Sequence, residues 1–166
     1  MEGEEGRVRR ENIEKEKQIE TEIVKLEAEK IELQAKLDGI NKDKEALEVI
    51  WVDLSGQKDA LQRKLDPILE VEMNTEKDVQ RLNQEEHATD DRIARQEIEK
   101  KRQETEKTRE EAEKNKWALE NEMIALEKIM DENKKKFQTL DEGGYTALKR
   151  IEEIINIING YKSAKY

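Results

Sequence analysis

Apolar residues recur at every seventh position through the first half of the chain, and this heptad repeat limits the fold more than any other feature. Every seventh residue from Ile19 to Leu82 is a leucine or an isoleucine, with the single exception of Thr75. A second series interleaves with the first at spacings of four and three, so the two series are the d and a positions of a heptad. Only a helix that lies against another helix along its length needs this pattern. We therefore predict an all-α fold built as a long coiled coil.

The predicted self-association seam consists of apolar a and d residues on two helical arms. Those of the first arm are Ile19, Ile23, Leu26, Leu33, Leu37, Ile40, Leu47, Trp51, Leu54, Leu61, Leu65 and Ile68. Those of the second arm are Leu119, Met123, Leu126, Met130, Phe137 and Leu140. We expect a neighbouring helix to shield all of these side chains from water.

The composition argues against a compact globule. Only 34% of the 166 residues are hydrophobic and 45% are charged, whereas globular domains are usually about 45–50% apolar. A narrow seam can nevertheless be buried, because the few apolar residues fall on one stripe. The net charge of −10 disfavours nucleic acid as a partner, and no apolar run is long enough for membrane insertion. Because the first residues also lack the apolar core of a signal peptide, we expect an intracellular, cytoplasmic protein.

Breaks in the heptad pattern divide the chain into five predicted segments. They are a disordered or frayed N terminus (1–12), a first coiled-coil helix (13–84), a turn or register break (85–92), a second coiled-coil helix (93–142), and a Gly-Gly hinge with an isoleucine-rich C-terminal helix (143–166). Proline removes a helical hydrogen bond and clashes with the preceding turn, so we expect a kink at Pro67. The alternative is a helix end at Leu65, with Pro67 opening a new helix.

The heptad phase changes between the two arms, and this change predicts a chain reversal. The d position at Leu82 is followed by one at Asp91, nine residues later, whereas coiled-coil insertions add four or three residues. The arms on either side are nearly equal, so folding one onto the other is the economical explanation. Paired hairpins would form an antiparallel dimer or four-helix bundle. One uninterrupted rod with a local register defect is the alternative, since residues 83–92 contain no glycine or proline.

Two apolar clusters are wider than a two-helix seam needs, and we predict that they contact further helices or a partner. The first cluster is Val49, Ile50, Trp51 and Val52, which includes a tryptophan, a residue enriched at interface hot spots. A locally thickened seam explains this first cluster equally well. The second cluster follows the glycine pair and comprises Leu148, Ile151, Ile154, Ile155, Ile158 and Tyr161.

Lysines at a positions bear on the number of strands. Lys30, Lys44 and Lys58 recur every fourteen residues. In a two-stranded seam a lysine can lay its stem on the interface and keep its ammonium group in water, whereas a larger bundle would bury the charge at a cost. The pattern favours two strands locally, although drift in a marginal coiled coil would also produce it.

No catalytic, cofactor or metal site is predicted. The chain has no cysteine and a single histidine, His87, which lies among carboxylates in the predicted turn. One histidine with solvated carboxylates is a poor ligand set for zinc, and no glycine-rich phosphate loop is present. A thin helical rod offers no sheltered pocket that would shift the pKa of a carboxylate pair. We therefore expect that the chain is not an enzyme and has no cofactor.

The heptads resemble the rod segments of long coiled-coil proteins, which include motor and cytoskeletal tails, tethers and the arms of chromosome-maintenance ATPases. Our leading hypothesis is a non-catalytic self-association and scaffolding module, a rigid spacer and oligomerisation region of a structural or cytoskeletal-type protein. Its partners would be itself, as homodimer or homotetramer, and another protein. One alternative is a binding platform for a helical or peptide partner. The other is a rod or arm fragment of a larger motor or chromosome-maintenance ATPase.

Overall fold

The chain forms two long α-helices joined by a short turn. In the computed structural model, which describes residues 3–164, α1 spans Glu4–Ala88 and α2 spans Arg92–Ala164. The two helices pack against each other as an antiparallel helical hairpin, and no strand occurs within the described residues. The predicted chain reversal is confirmed. Residues 1, 2, 165 and 166, for which we predict a frayed N terminus and a C-terminal helix, lie outside the described residues.

Contacts between the helices divide the chain into two compact units. Unit 1 comprises Met1–Glu48 and Lys134–Tyr166, and unit 2 comprises Val49–Asn133. Each unit therefore contains one segment of α1 and one segment of α2. The two segments run antiparallel in both units, as the ion pairs described below show.

Side-chain hydrogen bonds explain how the chain reverses without glycine or proline. The Asp91 carboxylate accepts a hydrogen bond from the backbone N–H of Ile93 at 3.3 Å, so Asp91 is the N-cap of α2. At the end of α1, the Thr89 hydroxyl donates to the Glu85 carbonyl at 2.7 Å. The Arg95 guanidinium donates to the Thr89 carbonyl at 2.6 Å. These bonds satisfy backbone groups that a helix terminus otherwise leaves without a partner.

Helix α1 is longer than the local sequence signals predict. It begins at Glu4, so the part of the segment 1–12 that the structure describes is helical from that residue onward. Glutamates in the first turn favour this start because they face the positive end of the helix dipole. The helix also continues through Pro67, so the alternative of a helix end at Leu65 is wrong. Burial of Leu65 and partial burial of Ile68 hold the helix together across the proline.

Helix α2 continues through the glycine pair where we predict a hinge. Neither Gly143 nor Gly144 has a positive φ, and both remain helical. A Cβ atom added at Gly144 would lie 3.5 Å from the Ile40 side chain and 3.6 Å from Leu37. The glycines therefore lie in the seam, opposite large side chains of α1.

Burial follows the heptad, and each unit has its own core cluster. In unit 1, Leu26 of α1 packs with Ile154 and Ile158 of α2, and Ile154 is fully buried. In unit 2, Leu54 of α1 packs with Leu126 and Met130 of α2. Leu61 of α1 is partly buried and packs against this cluster. The thin apolar stripe thus supplies a linear core in each unit.

Candidate functional site

The structure buries or half-buries every residue of the predicted seam except one. The buried residues are Leu26, Ile40, Leu54, Leu65, Leu126 and Met130. The half-buried residues are Ile19, Ile23, Leu33, Leu37, Leu47, Leu61, Ile68, Leu119, Met123, Phe137 and Leu140. The exception is Trp51, which is at an a position but is 39% exposed. In the hairpin these residues pack α1 against α2 of the same chain.

Sequence reasoning missed part of the seam and part of the surface. Ala147 is among the most deeply buried residues, and it could have been found by counting seven residues on from Leu140. Val24 and Ile31 are strongly exposed on α1, although isolated apolar residues on the charged face of a helix give no clear signal. These two residues lie on a surface that α2 leaves open.

A lysine at an a position of α1 interacts with two residues of α2 in unit 1. The Lys44 ammonium group lies 2.6 Å from the Asp141 carboxylate and 5.1 Å from the centre of the Phe137 ring. The lysine stem covers the edge of the seam while its charge is paired, as proposed for lysines in a two-stranded seam. The contact also favours the observed register of the two helices.

Unit 1 contains a second ion pair, which has two hydrogen bonds. The Arg150 guanidinium donates to both oxygens of the Glu29 carboxylate, at 2.8 and 3.2 Å. This hydrogen bonding lowers the pKa of Glu29 and raises the pKa of Arg150. The pair lies on the side of the seam, where g positions of antiparallel helices meet.

Acidification is expected to weaken the Glu29–Arg150 pair. Because the pKa of Glu29 is lower in the folded chain, the pair stabilises the fold above the ordinary glutamate pKa. That contribution is lost as the pH falls through the lowered folded pKa. Thermal melts between about pH 7 and pH 3 should show the difference between the wild type and Glu29→Gln narrowing as the pH falls. Glu27→Gln, a nearby exposed control, should differ little from wild type throughout. A wild-type advantage over Glu29→Gln that persists undiminished at low pH would contradict this assignment.

Polar pairs also cross the seam in unit 2. Lys58 lies 3.3 Å from Glu127, and Lys116 lies 3.2 Å from Glu72. The Glu72 carboxylate, through its hydrogen bond from the ammonium group, raises the pKa of Lys116. These pairs occupy positions where an apolar contact would contribute more to stability. They therefore contribute more to the register of the two helices than to the stability of the fold.

Arg102 forms a polar contact near the turn. Its guanidinium pairs with the Glu86 carboxylate and donates to the Asn83 side chain at 3.1 Å. The contact joins the last turns of α1 to the first turns of α2. It therefore reinforces the chain reversal where apolar seam residues are few.

The predicted cluster at residues 49–52 lies on the surface of unit 2. Val49, Ile50 and Val52 are exposed, and Trp51 lies at the edge of the seam. The structure therefore leaves the side chains of this cluster open to a further contact.

The predicted cluster at the C-terminal end of α2 is divided between core and surface. Ile151, Ile154 and Ile158 are buried against α1, and Tyr161 packs against the same core cluster. Leu148 and Ile155 remain 46% and 37% exposed. Only these last two residues of the cluster offer substantial apolar surface to another molecule.

Shallow grooves run along the seam. In unit 1 a groove of about 570 Å³ has Leu47, Lys136 and Leu140 among its lining residues. In unit 2 a groove of about 400 Å³ is lined by Leu61 and Leu126. Both linings combine aliphatic side chains with polar and charged ones.

The described part of the chain contains neither a candidate metal-binding group nor a candidate membrane span. Across residues 3–164, no three histidine or carboxylate side chains gather into a group that could hold a metal ion. Neither helix, over those same residues, contains a run long and apolar enough to cross a membrane.

Comparison of the chain with known protein families, with curated proteins and with solved structures found no match.

Proposed function

We propose that the chain is a non-catalytic coiled-coil self-association module. Two hairpins pair into an antiparallel dimer or four-helix bundle and act as a rigid spacer or scaffold in a structural or cytoskeletal-type protein. The apolar surplus beside the seam of α2 carries this proposal.

Part of that surplus forms a row on one side of α2 in unit 1. Leu148 and Ile155 are seven residues apart and therefore share one side of the helix, directly beside the buried residues Ile151 and Ile154. The apolar face here is wider than the stripe that a single neighbouring helix covers. Helices of four-helix bundles have such wide faces because each contacts two neighbours.

A second copy of the chain is the simplest partner that would bury Leu148 and Ile155. A twofold dimer buries each residue twice, so Leu148 and Ile155 would supply four side chains to the interface. Burying the exposed part of each side chain contributes about 1 kcal/mol. The four together contribute about 4 kcal/mol, equivalent to about a thousandfold in the dissociation constant.

The double variant Leu148→Glu, Ile155→Glu tests this proposal. We expect the wild type to be dimeric or tetrameric by light scattering after gel filtration, and to dissociate on dilution. The concentration below which the double variant dissociates should be at least about 100-fold higher than that of the wild type. Its circular dichroism spectrum should remain that of a helical protein, because both side chains lie outside the core clusters.

Ile93→Glu is the matched control, because Ile93 is also exposed on α2 but lies near the turn. Its oligomeric state and its dissociation on dilution should equal those of the wild type. A wild type that remains monomeric at every concentration would refute self-association. A double variant that dimerises like the wild type would remove Leu148 and Ile155 from the interface.

A binding platform for a helical partner is the second candidate function. Strong exposure of Val49 and Val52 in unit 2, beside the partly exposed Trp51, favours it. The dilution experiment separates the two candidates, because a platform does not require a second copy.

A further inference from the structure

Helix α2 supplies little apolar surface to the seam between the core cluster of unit 2 and the turn. Residues 99–118 contain no leucine, isoleucine, valine, methionine or phenylalanine. Trp117, the one large apolar residue there, is 68% exposed. The buried residue of this stretch is Ala112, whose side chain is a single methyl group, whereas the core cluster contains Leu126 and Met130. The seam of α2 is therefore poor in apolar contact over about five helical turns.

Two ion pairs show which parts of the helices face each other here. Glu72 pairs with Lys116, and Glu86 pairs with Arg102. Because the helices run antiparallel, the stretch of α1 between the two glutamates lies opposite the stretch of α2 between the two bases. The polar segment of unit 2 consists of these two stretches, residues 72–86 and 102–116.

The threonines of the polar segment do not link the two helices through their hydroxyl protons. Thr75 is buried in the seam, and its hydroxyl donates to the Val71 and Glu72 carbonyls at 2.8 and 3.0 Å. The half-buried Thr105 donates to the Lys101 carbonyl at 2.9 Å. The donor of each hydroxyl is thus used within its own helix. Neither threonine replaces the apolar contact that a leucine would provide at the same position.

Arg109 is an unfavourable residue in the middle of the polar segment. It is half-buried, and its Nε atom is buried without a hydrogen-bond partner among residues 3–164. A buried donor without a partner costs free energy that hydration in an open state recovers. The large apolar side chains that the segment does cover, Val79 and Leu82, both lie on α1. Closing this segment therefore gains less free energy than closing the core cluster.

We propose that the polar segment opens locally while the core cluster of Leu54, Leu126 and Met130 stays closed. Opening hydrates the Arg109 guanidinium and gives up little apolar burial. The parts of a protein that bury the fewest apolar contacts open at the lowest free energy, often as cooperative units. The end of the hairpin at the turn can thus change its conformation without unfolding the core cluster.

This opening is independent of the proposed self-association. The row of Leu148 and Ile155 lies in unit 1, whereas the polar segment lies in unit 2. A monomeric chain can open at the polar segment, and a dimer built on that row can lack the opening. Failure of one proposal therefore leaves the other standing.

Hydrogen exchange of the backbone amides, followed by mass spectrometry on the full chain, tests the proposal. Separated helical stretches of this length are marginal in water, so opening releases their amides to exchange. Peptides from the polar segment should exchange at least about 100-fold faster than peptides that contain Leu54 or Leu126. Equal rates in both parts of unit 2 would contradict the proposal.

Arg109→Leu should make the opening rarer, because it replaces the buried guanidinium with an apolar side chain. We expect exchange in the polar segment to slow at least about tenfold. Lys107→Leu is the matched control, because Lys107 is an exposed base on the same stretch of α2. It should exchange like the wild type. If Arg109→Leu slows exchange no more than Lys107→Leu does, the buried arginine is not a cause of the opening and the proposal is wrong.

Leu61→Ala distinguishes local opening from unfolding of the whole chain. Leu61 is partly buried against the core cluster, so its truncation should speed exchange of the core-cluster peptides about fivefold or more. Exchange in the polar segment should stay at the wild-type rate, because the core cluster remains intact when the segment opens. If Leu61→Ala speeds exchange in the polar segment by the same factor, the segment opens only together with the core cluster and the proposal is overturned.

Discussion

Replacing Ile154 with alanine is expected to lower the free energy of unfolding by about 2–5 kcal/mol, the range for truncating a fully buried isoleucine. Among the residues that the structure describes, Ile154 is the most completely buried large side chain, at 0% exposure, and it lies in the core cluster with Leu26 and Ile158. The substitution removes aliphatic contacts and leaves a cavity that two packed helices can close only partly. Chemical denaturation followed by circular dichroism measures the loss.

Ile157→Ala is the control for this substitution. Ile157 lies less than one turn away on α2 but is 38% exposed, so its truncation should cost less than about 1 kcal/mol. The two variants have the same residue change and nearly the same helical position. Equal losses would mean that α1 does not cover α2 as the structure describes.

The double variant Gly143→Ala, Gly144→Ala is expected to raise the free energy of unfolding by about 2 kcal/mol. Alanine is favoured over glycine in a helix by about 1 kcal/mol at each position. A methyl group at Gly144 would lie at ordinary contact distance from Ile40 and Leu37, so no clash offsets the gain. The seam would also gain apolar contact at this point.

Gly56→Ala is the control for the effect of helix propensity alone, because a Cβ atom there meets no neighbour. It should stabilise the chain by about 1 kcal/mol. Gly144→Leu should be less stable than Gly144→Ala, since its larger side chain has to displace Ile40. Destabilisation by Gly144→Ala itself would show that the glycine pair needs a conformation outside the helix.

The fold could be predicted from the sequence where the signal was periodic. The heptad series identified the buried face of α1 from Ile19 to Ile68. The shift of nine residues between Leu82 and Asp91 indicated the reversal that the structure places at 89–91. Periodicity succeeds because it reflects a property of the whole helix, the side that faces its neighbour.

Local signals were less informative than periodic ones. Pro67 and the Gly143–Gly144 pair are strong helix breakers in isolation, yet both helices continue through them. In each place the packed neighbours stabilise the helix. Leu65 is buried beside the proline, and Ile40 packs opposite the glycines. Counting sevens past Leu140 to Ala147 and Ile154 would have shown that the seam continues.

The candidate contact surfaces depend on the tertiary structure. The heptad continued from Phe137 places Ile151 at an a position and Leu148 and Ile155 at e positions beside it. Ile151 is buried, whereas Leu148 and Ile155 remain exposed. An e residue lies at the rim of a two-helix seam, so its position alone does not say how far the neighbouring helix covers it. Which residues remain on the surface depends on the path of α1 across α2.

The sequence by itself determined that both halves of the chain are helical, which face of each is apolar, and that the chain reverses between them. These properties follow from the order of side chains along a helix with a fixed number of residues per turn. Only the tertiary structure decided which apolar side chains remain exposed after the helices pair. The exposure of Val24, Ile31, Leu148 and Ile155 is a property of two surfaces in contact, because one helix can cover only a narrow part of its neighbour.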